Sequence, residues 1–223
     1  MRKKRKEADA IRRCVIIGGA GISDYERSRK YLRPDDFFIF CDGGLRHSHL
    51  LHAEPDLVVG DFDSHEKPVT AAEVIALPRE KDDTDTVYAA REAVRRGFDD
   101  FLLLGAAGGR LDHTLGNLSL LLWLEARGKT ALLVDDFSDM EVVGGREVLI
   151  GDSVPYFSLL NISGTARGVD ITGAKYPLSN AEISADYQYG ISNEVLPGQT
   201  AAVKVREGNL LLIRVYRDQE EIE

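Results

Sequence analysis

The sequence predicts an α/β segment built on a mostly parallel sheet, followed by an all-β segment of antiparallel type. Three observations carry this. Over the first 135 residues, short continuous apolar runs alternate with helix-compatible stretches. Beyond about Asp139 helical periodicity disappears, and short runs are punctuated by Gly, Pro and Asn. The length of 223 residues suits one large or two small domains.

Taken in order, the apolar runs are Cys14–Ile17, Phe37–Cys41, Leu57–Val59, Val74–Leu77, Phe101–Leu104 and Ala131–Val134. Runs this short and unbroken predict strands covered on both faces, as in parallel sheets with right-handed crossovers. Thr84–Arg96 predicts a helix with Val87, Ala90 and Val94 on one face, stopped at Gly97. Leucine-rich His113–Arg127 predicts a second, stopped at Gly128. Later runs at Val154–Leu160, Val169–Ile171, Ala201–Val205 and Leu210–Tyr216 predict antiparallel strands, with Ala201–Tyr216 a hairpin turning at Glu207-Gly208-Asn209. The change of rhythm at residues 136–145 divides the chain into a segment 12–138 and a segment 142–218.

Hydrophobic residues make up 43% and charged residues 29%, a globular mixture, and the formal net charge is −9. That acidity argues against nucleic-acid binding, and it obliges any polyanionic substrate to be held by local cations, metal ions or helix N-termini. The run Arg2-Lys3-Lys4-Arg5-Lys6 stands apart and reads as a solvated start to the chain. Cys14 and Cys41 lie inside apolar runs and read as buried reduced thiols. No run reaches the ~18–20 residues of a membrane span, and the N-terminus lacks a signal-peptide core. A cytoplasmic protein is the expectation.

Chemistry collects where the predicted strands end: Gly18-Gly19-Ala20-Gly21, Asp42-Gly43-Gly44, Gly60-Asp61-Phe62-Asp63-Ser64, Asp82-Asp83-Thr84-Asp85 and Gly105 through Asp112. Ligands of open α/β sheets bind outside the carboxyl ends of the strands. Asp61 and Asp63, two apart, can aim their carboxylates the same way, and Asp82 or Asp85 would crowd a third anion beside them. Like charges so close oppose joint ionisation, and a divalent cation such as Mg²⁺, which prefers carboxylate, water and phosphate oxygens, resolves the conflict. The plainer reading is that these residues cap turns and helix starts.

The stretch Gly105-Ala106-Ala107-Gly108-Gly109-Arg110-Leu111-Asp112-His113 follows a strand and opens a helix. Its glycines allow close approach of phosphate oxygens to backbone N–H groups, and Arg110 can grip a phosphate through parallel donors. Asp112 can accept a hydroxyl proton, orient a metal-bound water or cap the helix, and His113 can be a base or a structural residue. Gly18–Gly21 lacks the full dinucleotide spacing, which disfavours a nicotinamide dehydrogenase. No G-x-x-x-x-G-K-[ST] loop occurs. Neither cysteine has the neighbours of a zinc site or catalytic thiol. Two other readings remain: a metal phosphohydrolase, and a catalytically silent nucleotide-binding module.

The ordered set Asp42-Gly43-Gly44, Gly60-Asp61-Phe62-Asp63-Ser64, Thr84-Asp85, and Gly108-Gly109-Arg110-Leu111-Asp112-His113 with Asn117 resembles the thiamine pyrophosphokinase family. Gly173-Ala174-Lys175-Tyr176-Pro177-Leu178 and Ile191-Ser192-Asn193-Glu194 resemble motifs of that family's second domain. The resemblance implies a Rossmann-like α/β ATP-binding domain followed by an all-β sandwich domain that binds thiamine and dimerises. It implies a homodimer with active sites at the subunit interface, transferring diphosphate from ATP to thiamine. It also implies Mg²⁺ on Asp61, Asp63 and Asp85, with Asp42, Gly43, Gly108, Gly109, Arg110, Asp112, His113 and Asn117 on the ATP side. Asp82, Tyr176, Ser192 and Asn193 would lie on the thiamine side, the last three reached from the partner subunit. Relatives commonly carry Gln where this chain has Lys81, and many carry Trp where it has Tyr176. A tyrosine face still accepts a cationic thiazolium.

Overall fold

The computed structural model describes residues 13–62, 71–78, 80 and 82–216. Arg2–Lys6, Asp63, Ser64 and Lys81, singled out above, lie outside the described residues. In chain order the elements are β1 (Arg13–Ile17), α1 (Tyr25–Lys30), β2 (Phe37–Cys41), a 3₁₀ helix (Asp42–His47), α2 (Ser48–Leu51), β3 (Leu57–Gly60) and β4 (Glu73–Ala76). Next come α3 (Asp85–Arg95), β5 (Asp100–Leu104), α4 (Leu111–Glu125), β6 (Thr130–Val134), β7 (Ser138–Val143) and β8 (Val148–Gly151). The chain closes with β9 (Tyr156–Leu160), β10 (Thr165–Thr172), β11 (Leu178–Ser184), β12 (Gly190–Asn193), β13 (Thr200–Glu207) and β14 (Leu210–Val215).

Among the described residues these strands form two sheets. The larger has the order β12-β9-β14-β7-β6-β5-β1-β2-β3-β4, parallel from β6 to β4 and antiparallel from β6 to β12. The smaller is antiparallel, with the order β11-β10-β13-β8. The parallel half is covered on both faces. Ile16, Ile39, Val59 and Leu103 share one core with Ala89 and Ala93 of α3 and Leu120 and Leu124 of α4. Val15, Ile17, Phe40, Leu102 and Leu104 form the other, with Leu51 of α2. A third core joins the two sheets, with Val143, Phe157, Leu159 and Leu212 meeting Ile150, Ala166, Val169, Ile183 and Val203.

Both predicted long helices are present. Thr84 caps α3, its hydroxyl accepting from the Val87 N–H at 3.3 Å, and Gly97 and Gly128 take positive φ just past the ends of α3 and α4. Two expectations need correction. The run at residues 74–77 is an edge strand with partly exposed side chains, because nothing pairs beyond β4 among the described residues. Residues 201–216 are not a hairpin. β13 pairs with β10 and β8 in the small sheet, while β14 pairs with β7 and β9 in the large one. Alternating apolar residues do not say which of two facing sheets a strand joins, so the turn at Gly208 crosses between sheets. The region where the rhythm changes holds β7, which pairs with both β6 and β14 and joins the parallel and antiparallel halves edge to edge.

Candidate active site

From β1 the parallel strands run outward one way through β2, β3 and β4, and on the other side of β1 through β5 and β6. The order in which strands are added reverses between β1 and β5, so the loops leaving these parallel strands diverge and open a crevice at their carboxyl ends. The two loops are zipped at their base: the Gly18 N–H donates to the Leu104 carbonyl and the Ala20 N–H to the Gly105 carbonyl, both at 2.8 Å. Such closeness demands glycine. A Cβ on Gly18 would lie 2.5 Å from the Gly105 oxygen, and one on Gly105 would lie 2.6 Å from the Gly18 oxygen.

Above this base lies a cavity of about 420 Å³. Its walls come from four strand ends or helix starts: Gly19, Ala20 and Gly21 after β1; Cys41, Asp42 and Gly43 at the end of β2; Thr84, Asp85 and Thr86 at the start of α3; and Gly105, Ala106, Gly108, Gly109 and Arg110 after β5, with His113 and Asn117 of α4. Eight sequence-predicted residues line it together: Asp42, Gly43, Asp85, Gly108, Gly109, Arg110, His113 and Asn117. A second cavity of about 460 Å³ adjoins it across Gly21, Gly108 and Gly109, bounded by Ser23, Asp135, Asp136 and Phe137.

Asp42 is one of few non-glycine residues with positive φ, at 35°. Gly60 leaves it room: a Cβ there would sit 3.0 Å from that of Asp42. A sparsely populated backbone conformation persists only where its surroundings enforce it, as at functional sites. The floor also carries the Cys41 thiol. Burial, and then the negative field of Asp85, push its pKa above the ordinary thiol range, with a smaller push from Asp42. Cys41 therefore stays protonated and apolar in character. Asp42 and Asp85 line the same cavity as this thiol.

The loop before α4 is braced internally. The Gly108 N–H donates to Thr114 Oγ1 at 3.1 Å, and Asn117 Nδ2 donates to the Ala106 carbonyl at 2.6 Å. Asn117 is buried and supports the loop from below. Sequence reasoning assigned the glycine amides to phosphate and overlooked Thr114, whose position one turn into the helix was the available signal. Arg110 Nη2 pairs with Asp112 at 2.5 Å, both side chains largely exposed. That bond to Arg110 is the main reason the Asp112 carboxyl is lowered to about pKa 2.

Other predicted residues stand outside the cavity lining. Asp61 follows β3 half-buried, next to the Gly60 that touches Asp42, and Asp82 is exposed before α3. Among the described residues, no three His, Cys, Asp or Glu side chains are close enough together to hold a metal ion. The carboxylates Asp42, Asp61 and Asp85 nonetheless supply the hard oxygen donors that Mg²⁺ prefers. Tyr176, Ser192 and Asn193 gather elsewhere, beside β12. Tyr176 exposes 57% of its surface, and the Lys175 ammonium lies 5.6 Å from its ring centre. Asn193 is buried, and its amide is committed to the backbone of Tyr176 and Glu194. Ser192 has φ 55° and donates its N–H to Ser158 Oγ at 3.0 Å.

The fold and site therefore define an α/β protein with an acidic, glycine-walled crevice at its strand ends and a separate antiparallel sheet. Residues 28–133 match the family model described as thiamin pyrophosphokinase, catalytic domain, and residues 149–210 match thiamin pyrophosphokinase, vitamin B1 binding domain. A thiamine pyrophosphokinase of Bacillus subtilis (strain 168) is 30% identical over 165 residues, spanning 70% of this chain and 76% of that protein. The crystal structure of thiamine pyrophosphokinase from B. subtilis superposes with a TM-score of 0.81 at 25% identity, covering 93% of this chain and 100% of that one. That of thiamin pyrophosphokinase from Geobacillus thermodenitrificans does so with 0.79 at 30% identity, covering 93% and 98%. The chain belongs to the thiamin pyrophosphokinase family.

Proposed function

We propose that this chain transfers diphosphate from ATP to the hydroxyl of thiamine, giving thiamine diphosphate and AMP. One observation carries the reading: Asp42, Asp85, Arg110 and the glycine loops converge on a single cavity at the topological switch of the sheet. The thiamine oxygen attacks the β-phosphorus of ATP in line, its hydroxyl proton passing to an aspartate of the site; the bond from that phosphorus to the α,β-bridging oxygen breaks, and AMP leaves with that oxygen. Such transfers rest on positioning and on neutralising charge. Arg110, exchanging Asp112 for phosphate, stabilises charge on the transferred group. Asp61, Asp63 and Asp85 would hold Mg²⁺. That ion would supply positive charge to offset the repulsion among the phosphates.

The thiamine side belongs to an all-β sandwich domain over residues 142–218, following an α/β domain over 12–138. Tyr176 offers an aromatic face to the cationic thiazolium, and Asn193 fixes the loop that carries it. Neither residue lines the cavity of its own chain, which supports a homodimer in which one protomer's cavity faces its partner's Tyr176 loop. No helix among the described residues is long and apolar enough to cross a membrane. Two free, buried cysteines are in keeping with a reducing, cytoplasmic setting.

Incubation with ATP, Mg²⁺ and thiamine tests the reaction. AMP and thiamine diphosphate should appear in equal amounts, and only when both substrates are present. Phosphate or diphosphate released without an acceptor would instead assign a phosphohydrolase.

A further inference from the structure

Arg46 and His47 end the 3₁₀ helix that begins at Asp42, and neither lines the cavity. Both reach across to the loop after β1. Arg46 Nη2 donates to the Gly19 carbonyl, and His47 Nε2 lies 2.9 Å from the Ala20 carbonyl. Arg46 Nε also stands 3.3 Å from Nε2, but the shorter contact is with the carbonyl, which only accepts; it places the imidazole proton on Nε2 and leaves Nδ1 to accept the Tyr25 hydroxyl at 2.7 Å. His47 is buried, and burial holds its pKa below the ordinary value, so the ring is neutral at neutral pH.

The peptides of this loop are trans. A trans peptide carries its C=O and the following N–H on opposite sides. Tying the Ala20 carbonyl to His47 therefore turns the Gly21 N–H the other way, and among the described residues no hydrogen bond to that N–H occurs. Gly21 lines both cavities.

We propose that Arg46 and His47 are positioning residues for the nucleotide: they clamp the Gly19 and Ala20 carbonyls so that the Gly21 N–H is presented to a phosphate oxygen. This rests on the reading of the cavity as an ATP site. The clamp begins at the other end of the same 3₁₀ helix from Asp42, so a single short element sets both a rim carboxylate and the opposing amide. Tyr25 holds the ring from behind.

The test is calorimetric titration of α,β-methylene-ATP with Mg²⁺ into the wild type, His47→Leu, His47→Gln and Arg46→Met, alongside the KM for thiamine. His47→Leu removes the donor to Ala20 and should weaken the analogue about tenfold, the scale of one lost polar contact. His47→Gln keeps a donor near Nε2 and should recover most of that loss. Arg46→Met, on the exposed side, should weaken the analogue by about threefold with the fold undisturbed. The KM for thiamine should not move in any of them. Equal analogue affinity in wild type, His47→Leu and Arg46→Met would overturn the clamp, as would equal losses for both substrates or no rescue by His47→Gln. Absence of analogue binding by the wild type would overturn the nucleotide reading itself.

Discussion

Asn193 and Tyr176 hold each other by two reciprocal hydrogen bonds: the Tyr176 N–H donates to Asn193 Oδ1 at 3.0 Å, and Asn193 Nδ2 donates to the Tyr176 carbonyl at 2.8 Å. Asn193 Oδ1 also accepts the Glu194 N–H at 2.9 Å, so this buried amide fixes the loop on which the exposed tyrosine ring is carried. Asn193→Ala should raise the KM for thiamine by about tenfold and cost about 1–3 kcal/mol of stability, the range for unmade buried hydrogen bonds. The KM for ATP should stay put. Tyr176→Phe keeps the aromatic face and should be near neutral, whereas Tyr176→Ala should repeat the thiamine defect. Steady-state kinetics with each substrate varied in turn checks both.

Arg110 faces a choice between Asp112 and phosphate. Because Arg110 lowers the Asp112 carboxyl to about pKa 2, Asp112 is ionised at every pH above that and takes up a proton only as pH falls through it. It therefore cannot produce a limb of the pH–rate profile near neutrality. Asp112→Asn should change the height of the profile and leave its shape, while Arg110→Ala should lower kcat by about 10²-fold, the scale of a lost electrostatic stabiliser. Rate profiles from pH 5 to 9 read this directly. Loss of a limb in Asp112→Asn would make Asp112 the titrating base.

Gly60 leaves room for Asp42. Gly60→Ala would place a methyl 3.0 Å from the Asp42 Cβ and 3.2 Å from its Cα, forcing the rim residue to move. Overpacking of this kind costs about 1–3 kcal/mol. The larger effect should be on the reaction, with kcat/KM for ATP falling about tenfold, since small displacements of positioned groups are costly in rate. Circular dichroism melts beside ATP kinetics separate the two.

Arg214 on β14 and Asp139 on β7 are register partners joined by a 2.9 Å ion pair, with Glu141 as a second acceptor of the guanidinium. Tyr31 and Tyr216 both donate to Asp139 at 3.0 Å, so the cluster pins the seam where parallel pairing turns antiparallel. Breaking a buried pair by removing one partner costs about 3–5 kcal/mol. Arg214→Met should lose that much in denaturant melts. The double variant Arg214→Met with Asp139→Leu should recover part of it, because the stranded charge is gone.

The sequence spoke clearly where local rules and packing agree. Phe37–Cys41 was found at the same limits, the flanking strands within one or two residues, α3 by its apolar face, α4 by its leucines, and both by their closing glycines. It was silent where polar side chains set the structure. Residues 25–30 form a helix that buries only Ser28 fully, and residues 42–47 form a 3₁₀ helix, so neither shows an apolar period. The seam cluster around Asp139 joins residues 108, 75 and 77 positions apart, a relation no spacing rule detects. For the site, glycine and aspartate clusters of the sequence lie at the strand ends and helix starts that wall the crevice, where the backbone turns tightly. The sequence did not reveal that Gly108 donates its amide to Thr114, or that the Asn193 amide bonds the backbone of the Tyr176 loop.

Turnover with ATP and thiamine at saturating Mg²⁺ in Asp61→Asn, Asp63→Asn and Asp85→Asn bears most directly on the idea that these carboxylates gather a cation for the nucleotide. A fall in kcat of about 10²-fold or more in each, with unchanged melting temperature, is the predicted result. Near-normal turnover in all three would contradict it.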